Sequence, residues 1–178
     1  MDIQTWLNSV NGQVVDMDGA YDGQCWDLWS SYARNVYGIP AADTNTVDGY
    51  AASVYTERYN RSQALQNTFT REAGNYTPVY GDVAFWDGAG MNHVAIVVRD
   101  NGNGTLETMS QNPNKAGYVT ISKNGIIGYF HPRSANTPAP APANGNVTII
   151  PRTYKVNVAT LNVRSAPSTS AQVVAQYH

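Results

Sequence analysis

The chain of 178 residues contains one cysteine. A lone cysteine cannot close an intramolecular disulfide, and three widely spaced histidines leave no Cys/His set for zinc. Charge is scarce as well: 13% of residues are charged and the formal net charge is −2. That argues against nucleic acid as a partner, which would favour a basic patch, and against long charged tails. No apolar run approaches a membrane-spanning length, so no membrane insertion is expected. The segment Met1–Trp6 has neither a basic nor an apolar region of the secretory kind, so no signal peptide is expected.

What the chain does have is enough apolar residues, 42%, to fill the core of one domain with a fragment to spare. Twelve tyrosines stand among many Asn, Thr, Ser and Gly residues, a polar-aromatic surface suited to carbohydrate or glycopeptide. Ile3, Trp6, Leu7 and Val10 recur at helical spacing, with Asp2 as N-cap. A second helix is predicted from Cys25 to Tyr37, ended by Gly38 and followed by Pro40. Residues 41–75 are polar and ambiguous, with a short helix expected around Tyr50–Tyr59. The period then changes. Val83–Trp86, His93–Val98, Thr105–Ser110, Tyr118–Ser122 and Ile126–Phe130 read as successive strands between Gly/Asn/Asp turns. Helices followed by strands predict an α+β fold with helices packed on an antiparallel sheet.

Three segments follow from composition: a domain over 1–133, a Pro/Ala-rich linker over 134–146, and a partial second module over 147–178. Alternate prolines, Pro138-Ala139-Pro140-Ala141-Pro142, keep the linker extended. Beyond it, Tyr154–Val158 and Leu161–Pro167 read as short strands.

Cys25 lies where a glycine-bearing turn, Gly23-Gln24, enters the second helix, a setting that stabilises a thiolate. His93 opens a strand and is the candidate partner. His178 is the last residue, and His131 precedes a proline beside the linker. Cysteine at a helix start and histidine at a strand start form the working pair of a papain-like hydrolase. The oxyanion of an amide hydrolysis also needs donors, for which the Cys25 backbone N–H and the Gln24 side chain are candidates. Gln24 reads equally as a surface turn residue.

Asp16, Asp18, Asp22 and Asp27 fall within twelve residues around the turn, at close to the spacing of a calcium loop. Tyr21 stands where an EF-hand loop needs glycine, and Asp27 closes the segment in place of glutamate. This is therefore not an EF-hand. Four carboxylates in a compact loop repel one another, which favours a cation over a plain Asp/Gly turn.

The blocks Tyr21–Leu28, Gly81–Trp86 and Asn92–Val97 resemble, in order, the CHAP family of cysteine- and histidine-dependent amidohydrolases and peptidases. The resemblance covers roughly residues 1–133. Leu161–Ser168 resembles the opening of a bacterial SH3-like wall-binding module. The whole arrangement is similar to bacteriophage endolysins of Gram-positive hosts. It implies a papain-like CHAP fold and hydrolysis of peptidoglycan amides by Cys25 and His93, as endopeptidase or as N-acetylmuramoyl-L-alanine amidase. It also implies calcium held by Asp16, Asp18, the Ala20 carbonyl, Asp22 and Asp27. The enzyme would be a monomer made in the host cytoplasm, reaching the wall after holin-type release. The family carries an acid and, two residues on, an asparagine after the histidine strand. Ser110-Gln111-Asn112 keeps the asparagine and puts serine in the acid's place, whereas Glu107 as the acid leaves Met109 where asparagine belongs. Strand alternation puts Glu107 on the face opposite Ser110 and Asn112. Asn112 is the expected partner of His93. Serine in the acid's place also admits a second function, an inactive wall-binding protein.

Overall fold

The computed structural model describes residues 1–133, 161–164 and 173–177. The chain separates into two units, Met1–Ala141 and Pro142–His178. The expected linker and most of the expected wall-binding module lie outside the described residues.

In the first unit, helix α1 spans Ile3–Val10 and α2 spans Cys25–Tyr37. Asp2 caps α1 by accepting from the Thr5 N–H, which satisfies a donor the helix start leaves unpaired. The predicted face, Ile3, Trp6, Leu7 and Val10, is buried. α2 stops in a left-handed Gly38 (φ 69°), with the Gly38 N–H bonded to the Arg34 carbonyl and the Ile39 N–H to Ala33. Glycine adopts that conformation without a Cβ clash, and Pro40 prevents the helix from resuming. These two helices sit where they were predicted. A short α3 (Ala41–Thr44) follows, then a π-helical turn (Val54–Arg58), α4 (Tyr59–Arg61) and α5 (Gln63–Thr68).

Six strands make one sheet: β1 (Phe69–Ala73), β2 (Val83–Gly88), β3 (Met91–Asp100), β4 (Thr105–Ser110), β5 (Gly117–Ser122) and β6 (Ile126–Pro132). Their order is β1-β6-β2-β3-β4-β5, and every pairing is antiparallel. The α+β expectation holds. Five strands sit where the runs between Gly/Asn/Asp turns placed them; α5 and β1 were hidden in the polar stretch 41–75. β1 is an edge strand with only Phe69 fully buried, so its period-2 signal is weak.

The central strands are apolar on both faces. Val83 and Phe85 of β2 join Val94, Ile96, Met109 and Phe130 against the helices, while Ala84 and Trp86 join Ala95, Val97, Leu106 and Tyr129 on the opposite face. Trp29 of α2 packs on Phe69, Phe85 and Phe130 at 5.8–6.0 Å between ring centroids, which seats α2 on the sheet. β2 and β3 join through Ala89 and Gly90, both at positive φ (53° and 78°), and this hairpin sets Trp86 opposite His93. In the second unit, β7 (Leu161–Arg164) pairs antiparallel with β8 (Val173–Tyr177).

Candidate active site

Cys25 is the first residue of α2, where backbone N–H groups have no partner within the helix. Its sulfur lies within electrostatic reach of the N–H groups of Val94, Trp26 and Cys25 itself. Burial pushes the thiol up from its ordinary range, and these donors pull it part of the way back. Val94 follows His93 on β3, so the helix start and the histidine strand meet at this sulfur.

His93 is 8% exposed, and burial holds its imidazole down to about 4. Both shifts favour the uncharged thiol and the uncharged imidazole. The thiolate expected from the helix start is therefore opposed by desolvation, which outweighs the fields of a few N–H groups. The Trp86 ring lies 5.9 Å from the imidazole.

The expected partner of His93 needs correction. Nε2 of His93 lies 2.8 Å from Ser110 Oγ, inside a buried pocket. Asn112 is exposed, in a left-handed conformation (φ 69°), with its N–H on the Asn114 carbonyl. Alternation put Ser110 and Asn112 on one face only while the strand continued. β4 ends at Ser110, and the chain turns before Asn112 can reach the ring. Glu107 is ion-paired to Arg99 at 3.1 Å, away from the imidazole.

The residue between them was missed. Gln111 is 2% exposed, and its side chain takes the Val15 N–H on Oε1 at 2.7 Å. Its Nε2 donates to the carbonyls of Val15 (2.7 Å) and Gln24 (2.9 Å). Sequence alone offered only a polar residue past the end of a strand.

Gln24 is the N-cap of α2, and its N–H donates to Asp27 Oδ2 at 2.7 Å. Gln24 and Trp26 flank Cys25 and line a cleft of about 590 Å³ together with Asp18, Tyr21, Asn45 and Thr46. A smaller hollow of about 210 Å³ lies at Asn92, beside His93, lined also by Asp48, Tyr50 and Asp87. Chain neighbours of the cysteine and of the histidine thus line the two hollows.

Of the aspartates around Cys25, the fold gathers Asp16, Asp18 and Asp27, with one oxygen from each lying within 4.8 Å of the others. Asp16 accepts from the Gly19 N–H and Asp18 from the Ala20 N–H, which closes the turn. Asp27 is 1% exposed and accepts from Met17 and Gln24. Its carboxyl is raised first by burial and then by the charges of Asp18 and Asp16. A buried carboxylate beside two others is the donor chemistry a hard divalent cation relieves, so the set fits calcium. Asp22 does not join it: Tyr21 and Asp22 are both left-handed (φ 62° and 57°), and the Asp22 carboxylate is outside the gathered group.

The profile of the CHAP domain matches residues 15–112. Over 114 residues, 61% of this chain, the sequence is 33% identical to a D-alanyl-L-alanine endopeptidase of Streptococcus phage B30. The chain spans only about a quarter (24%) of that protein's length. The crystal structure of a wild-type endolysin, LysIME-EF1, has a similar fold, with a TM-score of 0.58 at 24% identity over 76% of this chain and 63% of that one. No helix among the described residues is long and apolar enough to cross a membrane. The matched profile covers more than half of the sequence and takes in Cys25, His93 and the Ser110–Asn112 turn, and the chain belongs to the CHAP domain family.

Proposed function

We propose that this chain is a peptidoglycan hydrolase that cleaves amide bonds of the Gram-positive wall with Cys25 as nucleophile. The observation that carries it is the meeting of the Cys25 sulfur, at the start of α2, with the strand of a buried His93 held by Ser110. In a neutral imidazole one nitrogen carries the proton. Nε2–H donates to Ser110 Oγ, which leaves Nδ1 to take the thiol proton as sulfur attacks the carbonyl carbon. The Cys25 N–H and the Gln24 side chain stabilise the oxyanion. Nδ1–H then protonates the leaving amine, and water hydrolyses the thioester with His93 again as base.

The relatives named as an endopeptidase and an endolysin support this substrate class, and the two hollows suit an extended glycopeptide. Endopeptidase and N-acetylmuramoyl-L-alanine amidase activities use the same residues; the phage B30 relative favours the first. Calcium belongs to the same reading, held by the Asp16, Asp18 and Asp27 carboxylates with the Ala20 carbonyl. Its part would be structural, stiffening the turn that presents Cys25. The Leu161–Ser168 motif supports a wall-binding role for the second unit.

Mass spectrometry of muropeptides released from purified walls tests the reading, because the new termini report the bond. Wild-type protein should release fragments and Cys25→Ala none. The serine in the acid's place favours a second reading, an inactive wall-binding protein, under which neither protein releases anything and both sediment with walls.

A further inference from the structure

Gln111 joins three parts of the molecule that no continuous element connects. Its carboxamide is fully used: Oε1 accepts from the Val15 N–H, and the two Nε2 hydrogens go to the carbonyls of Val15 and Gln24. Turning the amide over would set NH₂ against an N–H and oxygen against two carbonyls, so only this orientation is chemically consistent. Nearby, the Gly12 N–H bonds to the Ala116 carbonyl and the Ala116 N–H to Gln13, and Gln111 extends that pairing through its side chain. Val15 and Gln24 are the two ends of the loop that contains Asp16–Gly23. One side chain therefore closes the loop and ties it to the end of β4, next to Ser110.

We propose that Gln111 is a positioning residue of the hydrolysis, which aims the Cys25 backbone N–H at the developing oxyanion. The inference rests on the cysteine-hydrolase reading above. The Gln24 carbonyl and the Cys25 N–H belong to one planar trans peptide, so they point in opposite directions and turn together. The helix holds that carbonyl through the Asp27 and Leu28 N–H groups at 3.1 and 3.4 Å, and Gln111 adds the shorter bond of 2.9 Å. Fixing the carbonyl fixes the direction of the Cys25 N–H. Ser110 and Gln111 are consecutive, so one strand end orients the imidazole on one face and the oxyanion donor on the other. Gly23 makes room for this: a Cβ there would stand 2.6 Å from Gln111 Nε2 and 2.7 Å from the Val15 carbonyl oxygen.

The test compares two reactions of the same cysteine in Gln111→Glu, which keeps the shape and the Val15 N–H acceptor but loses both donors. Wall hydrolysis needs the oxyanion donor. Alkylation of Cys25 by iodoacetamide is a substitution at carbon that develops no oxyanion. In the folded variant kcat should fall about 100-fold, the scale of losing one oxyanion donor, with KM and the alkylation rate within about threefold. Gln66→Ala breaks a side-chain bond to the Tyr59 carbonyl elsewhere in the unit, and both rates should stay at wild-type values. Should Gln111→Glu not fold, Gly23→Ala displaces the same amide and is read by the same two rates. Equal fractional loss of hydrolysis and alkylation, or hydrolysis within threefold of wild type, overturns the assignment. Wall cleavage by Cys25→Ser at the wild-type rate removes the reading of Cys25 as nucleophile itself, whereas an active Gln111→Glu beside an inactive Cys25→Ser removes only this inference.

Discussion

Replacing Ser110 probes the contact that the fold substitutes for the expected one. Its hydroxyl lies 2.8 Å from His93 Nε2 at a position 4% exposed. In Ser110→Ala the imidazole N–H is left buried without that acceptor, a cost of about 1–3 kcal/mol in stability. A ring free to tilt should lower wall hydrolysis by roughly 10- to 100-fold. Ser110→Asp acts in the opposite electrical sense. A carboxylate ~4 Å from the ring charge contributes about 4 kcal/mol at an effective dielectric near 20, or about three pH units. The carboxylate's own desolvation reduces this, so His93, held at about 4 in the wild type, should titrate roughly one to three pH units higher. With uncharged imidazole as the base, the acid limb of kcat/KM should move up with it. The assays are imidazole NMR titration and the pH profile of release from purified walls. Asn112→Ala, at an exposed turn, should leave both within about twofold. A crippled Asn112→Ala beside an active Ser110→Ala would refute the reasoning, as would an unmoved His93 titration in Ser110→Asp.

Three further outcomes are expected. His93 has a folded-state value of about 4 against 6.5 when exposed, so the stability it contributes is present above pH 6.5 and lost as pH falls towards 4. The gap corresponds to about 3 kcal/mol. Asp82, buried and raised to about 6, runs the other way over much of that window, so the measurement is the stability of wild type minus His93→Gln. That difference should shrink by up to about 3 kcal/mol between pH 7 and 4, and a pH-independent difference would contradict it. Chelation should lower both Tm and lysis, with Ca²⁺ restoring them; at a hundredfold excess over Kd the stabilisation is about 2.7 kcal/mol, a Tm change on the order of 10 °C. Asp18→Asn can keep its bond from the Ala20 N–H while losing a ligand charge, so it should blunt the calcium response without unfolding the turn, and absence of Ca²⁺ binding by calorimetry would end the metal proposal. Glu107→Gln loses only a mostly exposed ion pair with Arg99, worth about 0–1 kcal/mol, and should hydrolyse walls at the wild-type rate.

The sequence by itself determined whatever depends on neighbours along the chain. Asp2, Gly38 and Pro40 mark the ends of α1 and α2 because a cap bonds within a few residues of itself. The apolar runs Val83–Trp86 and His93–Val98, each bounded by turn residues, mark strands buried on both faces. Cys25 and His93 stand out for a similar reason, a reactive residue at the first position of α2 and one near the start of β3. Tertiary structure alone decided what those residues meet. The partner of His93 depended on where β4 stops, and a difference of two residues exchanged Asn112 for Ser110. Which aspartates converge depended on two left-handed residues that leave Asp22 outside the group. The insertion of β6 between β1 and β2, and the reach of Gln111 to Val15 and Gln24 across 96 and 87 positions of sequence, follow from long-range packing. Burial of the thiol and imidazole also appears only when α2 closes on the sheet, and that burial, more than the helix start, decides their charge.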